Sequence, residues 1–314
     1  MTKTKEKTKF LDDLEGEERE IIQAKSTIVD KLNHVKEHLF TYVKSTIPYL
    51  NYYDHESLRN DALKIKNKAD TLLKNINYQE IDLKDFILSN TNLDLEEKQT
   101  SVLGIYSGIL LDNLNLDFFY INGIGNEFSH LFEFSNNCKN LVIDNFKGDE
   151  IGYGISNSNI LALINNKGYH IGSDIAAYGS KINKVFFYNN IGDGIGHGIA
   201  RKGFAEKVIY LKNSGDNKTI TDFLGDINTL VAIRNETNNT YELDFEETIL
   251  KKDTIKELIY KDNKRIYFHH LPIDFEDYIN RTNIKYLLPL ADHPDKCRGE
   301  KFATTLIELL DLIK

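Results

Sequence analysis

Leu141-Val-Ile-Asp-Asn-Phe-Lys-Gly-Asp-Glu-Ile-Gly-Tyr-Gly-Ile155, Leu161-Ala-Leu-Ile-Asn-Asn-Lys-Gly-Tyr-His-Ile-Gly-Ser-Asp-Ile175 and Val185-Phe-Phe-Tyr-Asn-Asn-Ile-Gly-Asp-Gly-Ile-Gly-His-Gly-Ile199 superimpose without a gap. A shorter copy follows at Val208-Ile-Tyr-Leu-Lys-Asn-Ser-Gly-Asp216, a degenerate one precedes at Phe118-Phe-Tyr-Ile-Asn-Gly-Ile-Gly-Asn126, and a partial one closes the series at Leu230-Val-Ala-Ile-Arg-Asn235. Internal repetition at this period is the mark of a chain that stacks one structural unit on the next. The anchor glycines Gly125, Gly148, Gly168, Gly192 and Gly215 are spaced by 23, 20, 24 and 23 residues. That length holds two or three short strands plus turns, which suits coils stacked at the strand spacing of a sheet, about 4.8 Å.

The residue types have physical reasons. Apolar residues before each anchor fill the coil interior. Asn122, Asn145, Asn165 and Asn189 stand three residues before their anchors, where an Asn side chain can bond its own turn and the Asn of the next coil. The anchor glycine can take positive φ at the corner. Ile151-Gly152, Ile171-Gly172 and Ile195-Gly196 recur after it, which predicts an inward isoleucine and a glycine that lets the chain pass close to its neighbour.

The strings from Gly148 to Ile155 and from Gly192 to Ile199 resemble the glycine-rich repeat of the GXGXG β-helix domain, found in glutamate synthases and formylmethanofuran dehydrogenases. The resemblance covers about 100 of the 314 residues and departs from the pattern between Gly168 and Ile175. It implies a right-handed β-helix acting as a scaffold, and it transfers no catalytic residue.

Working outward, residues 1–100 read as helical. Ile28, Leu32, Val35, Leu39, Val43 and Ile47 continue an apolar stripe that begins near Ile21, and Pro48 ends it. Asp54 can cap a second helix with the stripe Leu58, Ala62, Ile65, Ala69, Leu72, Leu73 and Ile76, so a helical hairpin is expected. Tyr78–Leu95 is less regular, with turn chemistry at Ser89–Asn92. From about residue 102 helical periodicity is lost. Residues 101–239 are assigned to the solenoid, of about five coils. Residues 240–314 form a mixed helical end section, with a short helix after Asp253 through Ile255, Leu258 and Ile259, a strand at Arg265–His270, and a last helix within Gly299–Lys314. The flanking helices are expected to cover the ends of the stack or pack along one side.

The chain is 41% hydrophobic, enough for a core, and its net charge is −9, from 39 basic and 48 acidic residues. That balance argues against capture of nucleic-acid backbones. No stretch has the roughly 18 apolar residues of a membrane span, no secretory leader is visible, and the two cysteines, Cys138 and Cys297, read as free thiols of a cytoplasmic protein.

Chemistry-bearing residues are sparse. His170, Asp174, His197 and Arg201 fall in adjacent coils at nearby repeat positions, where they can share a face as an acid–base cluster. Asp149, Asp193 and Asp216 follow their anchors and read as a solvated column rather than a calcium site. His269 and His270 would point to opposite faces of a strand, and Asp292, His293, Asp295 and Cys297 lack a second ligand pair, so no metal is assigned. The Gly-x-Gly strings recur along a repeat instead of opening a helix, so no dinucleotide or other cofactor is assigned. The leading expectation is a non-catalytic scaffold that binds another protein, or a second copy of itself, through a solenoid face or the N-terminal helices. The alternative is a protein or enzyme that takes a carbohydrate or other small polar ligand on the His170–Arg201 face.

Overall fold

The computed structural model describes residues 28–47, 55–216, 225–243, 255–261, 264–268, 283–292 and 299–313. Four helices come first: α1 (28–46), α2 (His55–Leu73), α3 (Glu80–Ser89) and α4 (Glu97–Leu114). A parallel β-solenoid follows, with β1 (Phe119–Asn122), β2 (Asn140–Asp144), β3 (Ile160–Ile164), β4 (Lys181–Tyr188), β5 (Phe204–Leu211), β6 (Ser214–Gly215), β7 (Asp226–Ile233), β8 (Glu236–Leu243), β9 (Ile255–Lys261) and β10 (Lys264–Phe268). A short 3₁₀ turn at Asn283–Tyr286, α5 (Leu288–Asp292) and α6 (Glu300–Leu312) complete the described chain.

Each coil has three walls. The first is a parallel sheet in the order β1-β2-β3-β4-β5-β7-β9. The second is a narrow ladder in which Glu127, Lys147, Lys167, Ile191 and Ser214 bridge in turn, continued by β6, β8 and β10. The third is built of turns in which alternate residues have positive φ: Glu150, Gly152 and Gly154; His170, Gly172, Asp174, Ala176 and Tyr178; Gly194, Gly196, Gly198, Ala200 and Lys202. Ile151, Ile171 and Ile195 point inward and are fully buried, as the repeat predicts. The glycine after each makes room for an interior side chain. A Cβ at Gly172 would lie 2.5 Å from the Phe187 ring, and one at Gly196 would lie 2.0 Å from the Tyr210 hydroxyl.

The corner carries a buried ladder. Asn166, Asn190, Asn213 and Asn235 are at most 1% exposed. The Oδ1 of Asn190 accepts from the Asn166 backbone N–H at 2.9 Å, and its Nδ2 donates to the Leu163 carbonyl at 2.8 Å. The adjoining Asn165 and Asn189 form the expected outer ladder, at 2.8 Å. Asn122 departs from it: it lies opposite Asp144, not Asn145. Gly125 likewise falls outside the anchor column, because Glu127 pairs with Lys147 and places Phe128 level with Gly148. The first coil has extra turn residues around Ile124, and these shift its register. The anchors Gly168 and Gly192 are needed for close approach rather than for positive φ at both. A Cβ would lie 1.9 Å from the Gly148 carbonyl oxygen in the first case and 1.7 Å from that of Gly168 in the second.

The ends differ from the expected boundaries. The solenoid does not begin near residue 101, since Glu97–Leu114 is helix α4. Residues Ser101 to Asp112 of this helix are all buried, so it lacks the one-sided pattern that betrays a surface helix. Nor does the solenoid stop at Asn239. Ile255, Leu258 and Ile259, expected in a helix, lie in β9 and pair with Ile227, Leu230 and Val231. β10, which overlaps the expected strand at Arg265–His270, pairs with β8. Asp253, His269 and His270 lie outside the described residues.

The flanking helices cover two walls and one edge. α5 and α6 lie on the outer face of the sheet, where Leu306 and Leu310 join Val142, Ile164 and Phe186 in one apolar cluster. Lys184, buried, donates to the Leu310 carbonyl at 2.8 Å, and Tyr188 to that of Leu290 at 2.5 Å. At the N-terminal edge Asn92 exchanges two bonds of 2.9 Å with Glu127 and so completes the ladder's open rung. α1 packs on α3 and α4, with the Tyr106 hydroxyl on the Leu32 carbonyl and Lys36 on Asn90. It also neighbours α2, where Lys68 lies over the Tyr42 ring. Among the described residues no helix is long and apolar enough to cross a membrane.

Candidate functional site

α4 lies directly against the third wall because two of its residues have no side chain. A Cβ at Gly104 would lie 2.3 Å from the His130 carbonyl oxygen, and one at Gly108 would lie 2.6 Å from that of Glu133. Further along the stack the helices part from the wall, and a cleft of about 570 Å³ opens between α2, α4 and the first to fourth coils.

The repeat register explains its floor. With Glu127, Lys147, Lys167 and Ile191 level, His130, Glu150, His170 and Gly194 form one outward column, and Glu133, Tyr153, Ser173 and His197 form the next but two. Two columns therefore deliver three histidines, two glutamates and a tyrosine to one strip of surface.

The deep end is buried. His130 Nδ1 lies 3.2 Å from Glu133 Oε2 and 3.4 Å from Glu150 Oε2. Ser101 of α4 donates to Glu133 Oε2 at 2.8 Å. Burial pulls the His130 pKa down, but the charge and hydrogen bond of Glu133, with Glu150 and Asp149, prevail and push it up to about 8. The imidazolium is therefore the main form at neutral pH. Glu150 is raised above the usual carboxylate value, mainly by burial and against the pull of His130.

The open end holds the four residues singled out in the sequence, and the fold brings them together in two pairs. His170 and His197 stack, with ring centroids 5.3 Å apart and 13° between planes. Asp174 is clamped across three coils: it accepts from the Tyr153 hydroxyl below at 3.0 Å and from Arg201 Nη2 above at 2.5 Å. Burial and the charge of Asp174 raise the Tyr153 pKa, so the phenol stays protonated as a donor. Tyr153 and Asp174 also line a second hollow of about 360 Å³ beside Arg59 and Tyr178, so the two cavities meet at this pair.

His130, Glu133, Glu150, Tyr153 and Ser101 are not singled out by the sequence reading. His130 lies outside the obvious repeats, and Ser101 is on a helix hidden by its own burial. The one signal for them is Glu150, which occupies the repeat position of His170. Glycines complete the site from the fourth coil. A Cβ at Gly194 would lie 2.3 Å from His170 Cδ2, and one at Gly198 would lie 2.2 Å from Asp174 Oδ1.

The remaining candidates do not converge. Asp149 and Asp193 share a column, but Tyr169 separates them and donates its N–H to Asp149 at 2.8 Å. Asp292 pairs with Arg234 at 2.6 Å, and His293, Asp295 and Cys297 lie outside the described residues. Cys138 is a buried free thiol, its pKa pushed up to about 12 by burial. No protein-family model, curated protein or solved structure matches this chain.

Proposed function

We propose that this protein binds a small polar ligand of the carbohydrate class in the cleft between the N-terminal helices and the third wall, and moves protons at its floor. The observation that carries the reading is the convergence of His130, Glu150, His170, Asp174 and His197 on one cleft large enough for a sugar-sized molecule. Glu150, His170 and His197 are the carboxyl and imidazole groups that line the cleft within reach of a bound hydroxyl, the side-chain types that serve as general acids and bases. The Tyr153–Asp174–Arg201 clamp supplies fixed polar geometry beside them.

The test is a titration of the full chain with neutral and uronic-acid oligosaccharides, followed by histidine side-chain NMR and calorimetry. The expected result is saturable movement of the His170 and His197 resonances, and at least tenfold weaker binding in the His170→Ala, His197→Ala double variant. Saccharide binding that leaves those resonances and that variant unaffected would overturn the reading, as would no binding at all.

A scaffold role keeps one specific surface in its favour. The second wall is uncovered at Lys147, Lys167 and Ile191, and Ile124 and Ile191 expose apolar side chains near it. Under that reading, Ile191→Lys abolishes capture of a protein partner and leaves saccharide titrations unchanged.

A further inference from the structure

His34 and His38 lie one turn apart on α1, away from the cleft. Both are exposed, their rings are nearly perpendicular, and their Nε2 atoms are 3.0 Å apart. The backbone beneath them is firmly seated, because Leu32, Val35 and Leu39 on the opposite side of the helix are at most 3% exposed. A hydrogen bond between two neutral imidazoles gains little in water, where each nitrogen finds a solvent partner equally well.

The spacing suits a metal ion better. Two histidines at i and i+4 present their rings on one helix face, the arrangement helical metal sites use. At a metal–nitrogen length of about 2.0–2.1 Å, nitrogens 3.0 Å apart subtend roughly 95° at the ion. That is a cis pair in a tetragonal or octahedral field, whereas a tetrahedral ion would need them about 3.3 Å apart. Imidazole nitrogens in tetragonal geometry favour Cu(II) and Ni(II). Among the described residues no group of three or more His, Cys, Asp or Glu side chains is arranged to hold a metal ion, so the pair supplies two bonds and water the others. We propose that His34 and His38 form a bidentate surface site for a divalent ion of the Cu(II)/Ni(II) class.

The experiment titrates the full chain with CuCl₂ and NiCl₂ at pH 7.5, read by calorimetry and, for copper, by electron paramagnetic resonance. The expected result is one tightest equivalent of either ion, with copper showing hyperfine coupling to two nitrogens. His34→Gln and His38→Gln should each weaken that equivalent about 100-fold, by removing the chelate. Glu37→Gln should keep it. Acidification to pH 5 should release the ion, because both imidazoles must be neutral to bind. If the tightest equivalent persists unchanged in both histidine variants, the ion sits elsewhere and the proposal is overturned. It is equally overturned if the wild-type chain takes up no equivalent of either ion.

Discussion

His170 and His197 stack face to face across one coil of the solenoid, 5.3 Å between centroids, although they occupy different positions of the repeat. The stack exists because Gly194, level with His170, has no side chain, and His197 is three residues further on. Gly194→Ala places a methyl 2.3 Å from His170 Cδ2 at a residue with φ of +69°. The expected outcome is a loss of about 1 kcal/mol in stability, together with separation of the two rings. Urea denaturation reads the first effect, and loss of the mutual ring-current shift in histidine NMR reads the second.

Stability should fall as pH rises through the titration of His130. Its folded pKa of about 8 lies above the ordinary 6.5, so the folded state holds the proton more tightly. The resulting stabilisation is fully present below pH 6.5 and lost as pH rises through 8, on the order of 1–2 kcal/mol. Glu150, also raised, acts with the same sign in a lower window that begins near its ordinary 4.5. Urea midpoints from pH 6 to 9 check this. Glu133→Gln removes the main charge that raises His130, and the slope between 6.5 and 8 should flatten.

The buried asparagine ladder should be sensitive to one deletion. Asn190→Ala leaves the Asn166 N–H without its acceptor and removes the Nδ2 bonds to the Leu163 carbonyl and to Asn213 Oδ1 in a fully buried corner. The orphaned N–H costs about 1–3 kcal/mol and each of the two lost bonds about 1 kcal/mol, so a loss of about 3–5 kcal/mol is expected in denaturant unfolding. Asn189→Ala, on the half-buried outer ladder, should cost about 1 kcal/mol.

Gly104→Ala tests whether α4 sets the depth of the cleft. A methyl there meets the His130 backbone, not a side chain that can turn away. The helix must lift, costing about 1–3 kcal/mol as overpacking does. Lifting it moves Ser101 away from Glu133 and opens the cluster to water. The His130 titration, followed by NMR, should move from about 8 toward 6.5.

The repeat makes the coils and their inward isoleucines legible, because glycine and isoleucine at fixed spacing answer to geometry that recurs in every turn. It also places His170, Asp174, His197 and Arg201 close together, since register alone fixes neighbours across coils. What stays hidden lies where burial erases pattern. α4 is enclosed and shows no polar face. Ile160-Leu-Ala-Leu-Ile164 lacks alternation because both faces of β3 are covered, one by the coil interior and one by α6. That unbroken run is the sequence's sign that a helix lies on the sheet. β9 reads as helix because its apolar residues at 255, 258 and 259 fit either period in so short a stretch.

The helix that shields the sheet is made long after the strands it covers. Val142 leaves the ribosome long before Leu306 and Leu310, about 165 residues separating β2 from its cover. At some 5–20 residues per second, the apolar outer stripe waits roughly ten to thirty seconds for its lid. During that interval nascent chains on one messenger can pair with each other through the same stripe. A stop codon just before Gly299 would make that exposure permanent, turning a transient hazard of synthesis into an aggregating product.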